Sequence, residues 1–264
     1  MRELERELPA TSDPRAPALP ERLLILGAGR AGGSIAAAAR NAGLRVNVGG
    51  REDQAHDAGV VLLCVPDEAI TGACERIAGS LEPGTPVGHT SGATPLAALD
   101  AAAEAGCPVF SLHPLQTIPT ARTDLAGAPC AVAGSHDDAL ALANALAERL
   151  GMRAFEVPED GRAAYHAAAS IASNFLIALE ESASELLEAA GVANPREVLA
   201  PLVLRTAANW ADAGAAALTG PIARGDEATV ALHKAALAER APQLVPLYET
   251  LADRTRQLGP GGGR

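Results

Sequence analysis

The chain has 264 residues, enough for one large domain or two modest ones with a real core. It is 48% hydrophobic but only 2% aromatic, so the core must be built from Ala, Leu, Val and Ile, a composition that favours closely packed helices. The net charge is −11 with no Lys/Arg cluster, and no apolar run reaches the ~20 residues of a membrane span, so neither a nucleic-acid nor a membrane partner is expected.

Residues 1 to about 20 are charged and Pro-rich without an apolar signal region, and read as a disordered tail of a cytoplasmic protein. Arg22–Leu26 (RLLIL) is a short buried strand, followed by the turn Gly27–Gly32. Gly33–Ala42 is an Ala-rich helix stopped by Gly43, and Leu44–Val48 a second strand. Val60–Val65 is a third strand, ended by Pro66, before a helix over Glu68–Ile77. Thr85–His89 reads as a strand, Thr90-Ser91-Gly92 as a turn, Pro95–Ala105 as a helix and Pro108–Leu112 as a strand. Cys130–Ala133 is a further short strand and Asp137–Leu150 a helix. Apolar strands alternating with helices predict a doubly wound α/β fold, with a mostly parallel sheet covered on both faces.

Beyond Gly151 strand signals become rare. One long helix is expected over Arg162–Ala190, stopped by Gly191, then helices over Pro195–Ala217, Glu227–Ala241 and Pro242–Leu258. The expected organisation is therefore a tail (1–20), an α/β domain (21–151) and an all-helical domain (152–264). Cys64, Cys74, Cys107 and Cys130 form no C-x-x-C pair and match no zinc spacing, so they read as reduced structural thiols and no metal is expected.

Gly27-Ala28-Gly29-Arg30-Ala31-Gly32 matches G-x-G-x-x-G, directly after a strand and opening a helix. Gly27 allows the tight turn, Gly29 lets a pyrophosphate approach the backbone, and Gly32 lets helix and strand pack closely. The helix N-terminus then offers free N–H groups to phosphate. This is the fingerprint of a Rossmann dinucleotide site, to which Val65 and Pro66 after the third strand are also assigned. An NAD site carries an acid at the end of the second strand, but here Val48-Gly49-Gly50-Arg51 stands there. Arg51 could face a 2′-phosphate, and Arg30 could reach another phosphate, so NADP(H) is the expected cofactor. Arg51 as a plain solvated loop residue is the alternative. The stretch from Glu52 to Gly59 is too short for the usual crossover helix.

The strings RLLILGAGRAGGSIA, VVLLCVPDEAI, HTSGATPL, SLHPLQT, AAYHAAASIASNFLIAL and ALTGPIARGD resemble a bacterial family that joins a Rossmann-like domain to a helical C-terminal domain of unknown function. More distantly, the layout is similar to the 6-phosphogluconate dehydrogenase C-terminal-like superfamily, with its β-hydroxyacid dehydrogenases, ketopantoate reductases and pyrroline-5-carboxylate reductases. The resemblance implies an NADP-dependent reductase, dimeric through its helical domain.

Loops at the carboxyl ends of the strands carry the candidate chemistry. Asp67, opening a helix after Pro66, reads as an N-cap. Ser91-Gly92 resembles the substrate or nicotinamide loop of β-hydroxyacid dehydrogenases, and is otherwise an ordinary turn. His113, before Pro114, could donate to a substrate carboxylate or carbonyl, or simply bond the backbone. His166, Ser170 and Asn174 fall at i, i+4 and i+8 and would stack on one helix face. Ketopantoate reductases are similar here, with Lys, Asn and Asn; Asn174 matches the last, while His166 replaces the lysine and Ser170 the first asparagine. In the catalytic reading His166 supplies a proton and Ser170 and Asn174 hold the substrate oxygen; otherwise the three form a polar helix–helix seam. Arg224 could clamp a substrate carboxylate from the loop between helices, or pair with Asp226. His233 and Lys234, on the next helix, read as structural and solvated. The reading is thus an NADP-dependent reductase of a small carbonyl (ketopantoate-like 2-keto acid) or imine. A dinucleotide-binding sensor or scaffold without turnover is the alternative.

Overall fold

A computed structural model describes residues 19–50 and 53–259 of the chain. The expected tail over residues 1–18, and Arg51, lie outside the described residues. The chain divides into two compact units, Met1–Ser170 and Ile171–Arg264.

The first unit is an α/β layer structure. Its elements are β1 (Arg22–Leu26), α1 (Arg30–Asn41), β2 (Arg45–Gly49), β3 (Val60–Leu63), α2 (Ile70–Ala78), β4 (Val87–His89), α3 (Asp100–Glu104), β5 (Val109–Pro114), β6 (Pro129–Gly134), α4 (Asp137–Arg149), β7 (Arg153–Glu156) and α5 (Arg162–Ala172). The seven strands lie in the order β2-β1-β3-β4-β5-β6-β7. β1 to β5 are parallel, β6 runs against β5, and β7 follows β6. This is a Rossmann-type, mostly parallel sheet.

Strand alternation explains why both faces are buried. Leu23, Ile25, Val60 and Leu62 belong to one apolar cluster, with Ile35 of α1 and Leu142 and Leu146 of α4. Leu24, Leu26, Val61 and Leu63 point the other way, onto Ile70 and Ile77 of α2 and Leu99. Burying each such side chain fully contributes roughly 1.5–3 kcal/mol. The α4 helix is also set by its ends: His136 caps it by accepting the Ala139 N–H, acidic Asp137 and Asp138 open it, and Arg149 closes it.

One feature of this unit differs from the sequence reading. β7 was not expected, because Arg-Ala-Phe-Glu is only four residues long and half exposed, so it shows no apolar run. It carries the sheet past residue 151, and the first compact unit continues to Ser170. The crossover from β2 to β3 is abbreviated as read. No helix lies in it among the described residues, and β2 is left at the sheet edge.

The second unit is helical: α6 (Asn174–Ala189), α7 (Pro195–Ala213), α8 (Pro221–Arg224), α9 (Glu227–Arg240) and α10 (Val245–Leu258). The single helix expected over 162–190 is two. Ser173 breaks it with φ −121° and ψ −70°, its hydroxyl bonding the Asn174 side chain at 3.3 Å. The expected loop around residues 219–226 holds the one-turn helix α8.

Candidate functional site

The chain leaves β1 towards β2 on one side and returns to β3 on the other, so the carboxyl ends of β1 and β3 flank the switch-point crevice of the sheet. The glycine turn sits there, and its three glycines have separate reasons. Gly27 has φ +115°, and a Cβ on it would lie 2.4 Å from the Cys64 carbonyl oxygen. A Cβ on Gly32 would lie 1.9 Å from the Gly27 oxygen, so only glycine lets α1 close onto the turn. A Cβ on Gly29 would meet nothing within 4 Å. Gly29 is the N-cap of α1 and no side chain caps the helix. The N–H groups of Arg30, Ala31 and Gly32 therefore have no side-chain cap, with exposed Gly29 and Arg30 beside them. Open volume over Gly29 with uncapped donors behind it fits a dinucleotide diphosphate. Val65 is half-buried and Pro66 exposed just past β3.

A strap not foreseen from sequence crosses the same helix. The loop between β5 and β6 packs Ala121 on Gly33, where an added Cβ would come within 2.6 Å of the Ala121 Cβ. The Ser34 hydroxyl donates to the Thr120 carbonyl at 3.1 Å and accepts the Thr123 N–H at 3.1 Å.

The end of β2 adds a group that the sequence reading did not use. A carboxylate does stand there: Asp53 Oδ2 accepts the Gly50 N–H at 2.7 Å. Gly49 beside it accepts the Gly27 N–H at 3.0 Å, which joins this corner to the glycine turn. The acid was missed because it lies three residues past the strand and folds back onto it.

A polar cluster occupies the carboxyl ends of β4 and β5. The Ser91 hydroxyl donates to Asp67 Oδ2 at 2.7 Å and accepts the Ala93 and Thr94 N–H groups at 3.2 and 2.9 Å. Asp67 is therefore the acceptor for Ser91 rather than an N-cap; Pro66 holds the capping position without a side-chain bond. Ser91, assigned to catalysis and substrate binding from sequence, has its hydroxyl committed within the loop. Its N–H donates to Nδ1 of His89 at 3.2 Å, which puts the His89 proton on Nε2. His89 is fully buried, and burial together with the Arg162 charge lowers its pKa to about 4.

Gly92 touches both candidate histidines. A Cβ there would lie 2.7 Å from His166 Nδ1 and 2.9 Å from His113 Cε1. His113 Nδ1 shares a 2.6 Å hydrogen bond with the Tyr165 hydroxyl, so its partner is neither backbone nor solvent. Burial, then His166 and Arg162, push the His113 pKa down to about 4, and burial pushes the Tyr165 phenol up to about 12. At neutral pH His113 is thus an uncharged imidazole beside a protonated phenol. His166 Nδ1 is buried without a partner. Sequence reasoning overlooked Tyr165 and Arg162, which lie within four residues of His166, one helical turn, and that was the available signal.

The remaining candidates fall elsewhere. Ser170 lies one turn beyond His166 on α5, half-buried. Asn174 opens α6 after the Ser173 break and belongs to the second unit, so His166, Ser170 and Asn174 do not share a single helix. Arg224 ends α8, exposed, and makes no ion pair among the described residues. Asp226 instead caps α9 through Thr229, at 3.1 Å to its N–H and 2.7 Å to its hydroxyl. His233 bonds Tyr248 at 2.9 Å, and Lys234 pairs with Glu249.

The sheet order and the glycine turn at its switch point define a Rossmann-type nucleotide fold followed by a helical unit. Residues 44–114 match the family described as a Rossmann-like domain, and residues 128–255 the one described as a domain of unknown function, DUF2520. The chain joins these two domains. It shares its fold with BF3122 from Bacteroides fragilis (23% identity, 89% of this chain and 97% of that one, TM-score 0.76). It is similar to a reductive aminase from Aspergillus terreus in complex with NADPH and ethyl-5-oxohexanoate (18%, 92% and 96%, 0.64). It is also similar to an imine reductase from Streptomyces aurantiacus (17%, 89% and 95%, 0.66). No curated protein matches the chain.

Proposed function

We propose that this protein is an oxidoreductase that uses a nicotinamide dinucleotide, NADP(H), to reduce a small imine or carbonyl compound. The observation that carries the reading is the open cradle over Gly29, backed by the uncapped N–H groups of Arg30, Ala31 and Gly32. The similar folds of a reductive aminase bound to NADPH and of an imine reductase support the class and favour an imine over the 2-keto acid suggested by the sequence. Arg51, after β2, supports the phosphorylated cofactor.

In this reading the cofactor supplies the hydride. The chain's own residues do the rest. The α1 N-terminus and Arg30 hold the diphosphate. Gly92, with no side chain, lets both histidines pack directly against the β4 loop. His166, with a buried ring nitrogen free of protein partners, delivers the proton, and the neutral His113–Tyr165 pair orients the substrate atom that receives it.

The test is titration with NADPH and NADH, followed by nicotinamide fluorescence, then a screen of cyclic imines, amine–ketone mixtures and keto acids. Binding with consumption of the reduced cofactor supports the reading. Binding without turnover supports a sensor instead, and no binding of either nucleotide sinks both.

We also propose that the helical unit pairs with a second copy. Phe175, Ile177 and Trp210 are 57%, 62% and 67% exposed, large apolar side chains unusual on the surface of a lone unit. Sedimentation should give a dimer, and Ile177→Glu a monomer; a wild-type monomer would refute the pairing.

A further inference from the structure

The residues that meet at Gly92 come from three different places: the loop after β4, strand β5 and helix α5. One side chain touches all three. Arg162 is 4% exposed, and it is the first residue of α5, where a cation opposes the helix dipole. Its placement is not one that helix electrostatics would choose. Nη1 donates to the Ser111 hydroxyl of β5 at 2.8 Å and to Glu159 Oε1 at 3.1 Å. Nη2 donates to the Ser91 carbonyl at 3.0 Å. The other oxygen of Glu159 accepts the Leu96 N–H at 3.1 Å, extending the tie to the chain beyond the loop.

We propose that Arg162 is the positioning residue of this site: its buried guanidinium ties the β4 loop, β5 and α5 together and so sets how His113, Tyr165 and His166 meet at Gly92. The proposal deepens the reductase reading, but its test does not need turnover. Each anchored group is close to a member of the cluster. Ser91 precedes Gly92. Ser111 is two residues before His113, on the same side of β5. Tyr165 and His166 lie three and four residues after Arg162, one helical turn away. A planar fork is needed to serve three acceptors at once, which a lysine ammonium cannot reproduce in the same geometry.

Among the described residues, three buried polar side-chain atoms lack a partner, and all three belong to this cluster: His89 Nε2, Arg162 Nε and His166 Nδ1. Native interiors rarely leave such groups unpaired, which marks the cluster as built to receive something polar. The charges facing His113 are His166, Arg162 and Asp67, with the Tyr165 hydroxyl on its ring; those facing His89 are Arg162, Asp67 and His113. A cation fixed between them adds to burial in keeping both imidazoles neutral.

The experiment follows the ring protons of the six histidines by NMR from pH 3 to 8, assigned by single substitutions. His233, bonded to Tyr248 in the other unit, is the internal reference. Arg162→Met should raise the His113 midpoint by about one pH unit, a tenfold gain in proton affinity, and remove the signal of the His113–Tyr165 hydrogen bond. Arg162→Lys keeps the charge, so it should lose that signal while moving the midpoint less. Ser111→Ala, which cuts one tie, should shift His113 in the same direction and covers the case in which Arg162→Met fails to fold. Unchanged His113 and His89 titrations with an intact Tyr165 bond in Arg162→Lys and Ser111→Ala would overturn the proposal. NADPH binding, measured alongside, should stay within threefold in the folded variants because the glycine turn is untouched. Failure of the wild type to bind it would count against the reductase reading alone.

Discussion

Two alanines, three residues apart in the glycine turn, should have opposite effects. Gly29 has φ −69°, an ordinary backbone conformation, and an added Cβ meets nothing within 4 Å. Gly29→Ala should therefore leave the fold intact, or stabilise it by about 0.4–1 kcal/mol through the unfolded chain. The methyl would, however, stand where the diphosphate must approach the backbone. A tenfold loss of nucleotide affinity, about 1.4 kcal/mol, is the smallest effect expected. At Gly32 the added Cβ would sit 1.9 Å from the Gly27 carbonyl oxygen, and 3.1 Å from the Cys64 Cβ. Helix and turn must separate to relieve it, and overpacking of this kind costs about 1–3 kcal/mol. At roughly 2–4 °C per kcal/mol, Gly32→Ala should lose several degrees of Tm. The assay is a thermal melt with and without NADPH, plus fluorescence titration. A Gly29→Ala protein that binds NADPH like the wild type would refute the cradle, and a Gly32→Ala protein of wild-type Tm would refute the close packing.

Asp53→Asn keeps an acceptor for the Gly50 N–H but removes the charge at the end of β2. It should raise the ratio of NADPH to NADH affinity by about tenfold if that carboxylate faces the ribose, as acids at this position do; an unchanged ratio in competitive titration would remove Asp53 from the site. Gly92→Ala should push His113 and His166 apart, because its Cβ would sit within 3 Å of both; loss of the His113–Tyr165 signal checks this. His89 has a folded pKa lowered to about 4, below its unfolded value near 6.5, so the unfolded chain binds the extra proton between those values. Its contribution to stability is thus complete above about pH 6.5 and lost as pH falls towards 4, on the order of 3 kcal/mol. Urea midpoints should fall less between pH 7 and 5 in His89→Asn than in the wild type; equal slopes would contradict the assignment.

The parallel sheet and the glycine turn were legible because they rest on local patterns: unbroken apolar runs and glycines at fixed spacing. β7 was not, since a half-exposed four-residue strand has no such pattern. The single helix over 162–190 is interrupted at Ser173, whose φ of −121° and ψ of −70° leave the helical region within an otherwise helix-forming run. His113 and His166 were legible as candidates, and the structure brings them together at Gly92. What linked them was not: Tyr165 and Arg162 act across 51 residues or more of chain, and nothing in spacing foretells that an arginine at a helix start will reach Ser111 and Ser91.

Among the described residues, the short crossover leaves β2 with a neighbour on one side only. A bare strand edge is a template on which another chain can build, and this one is blunted in familiar ways. It is five residues long, and it opens on Arg45, whose charge is held in place by Glu21 at 2.6 Å. It closes on paired glycines, which pair poorly with an incoming strand. The edge is thus guarded by charge and glycine, and mutations that neutralise Arg45 or replace Gly49 and Gly50 with β-branched residues bear on solubility before they bear on catalysis.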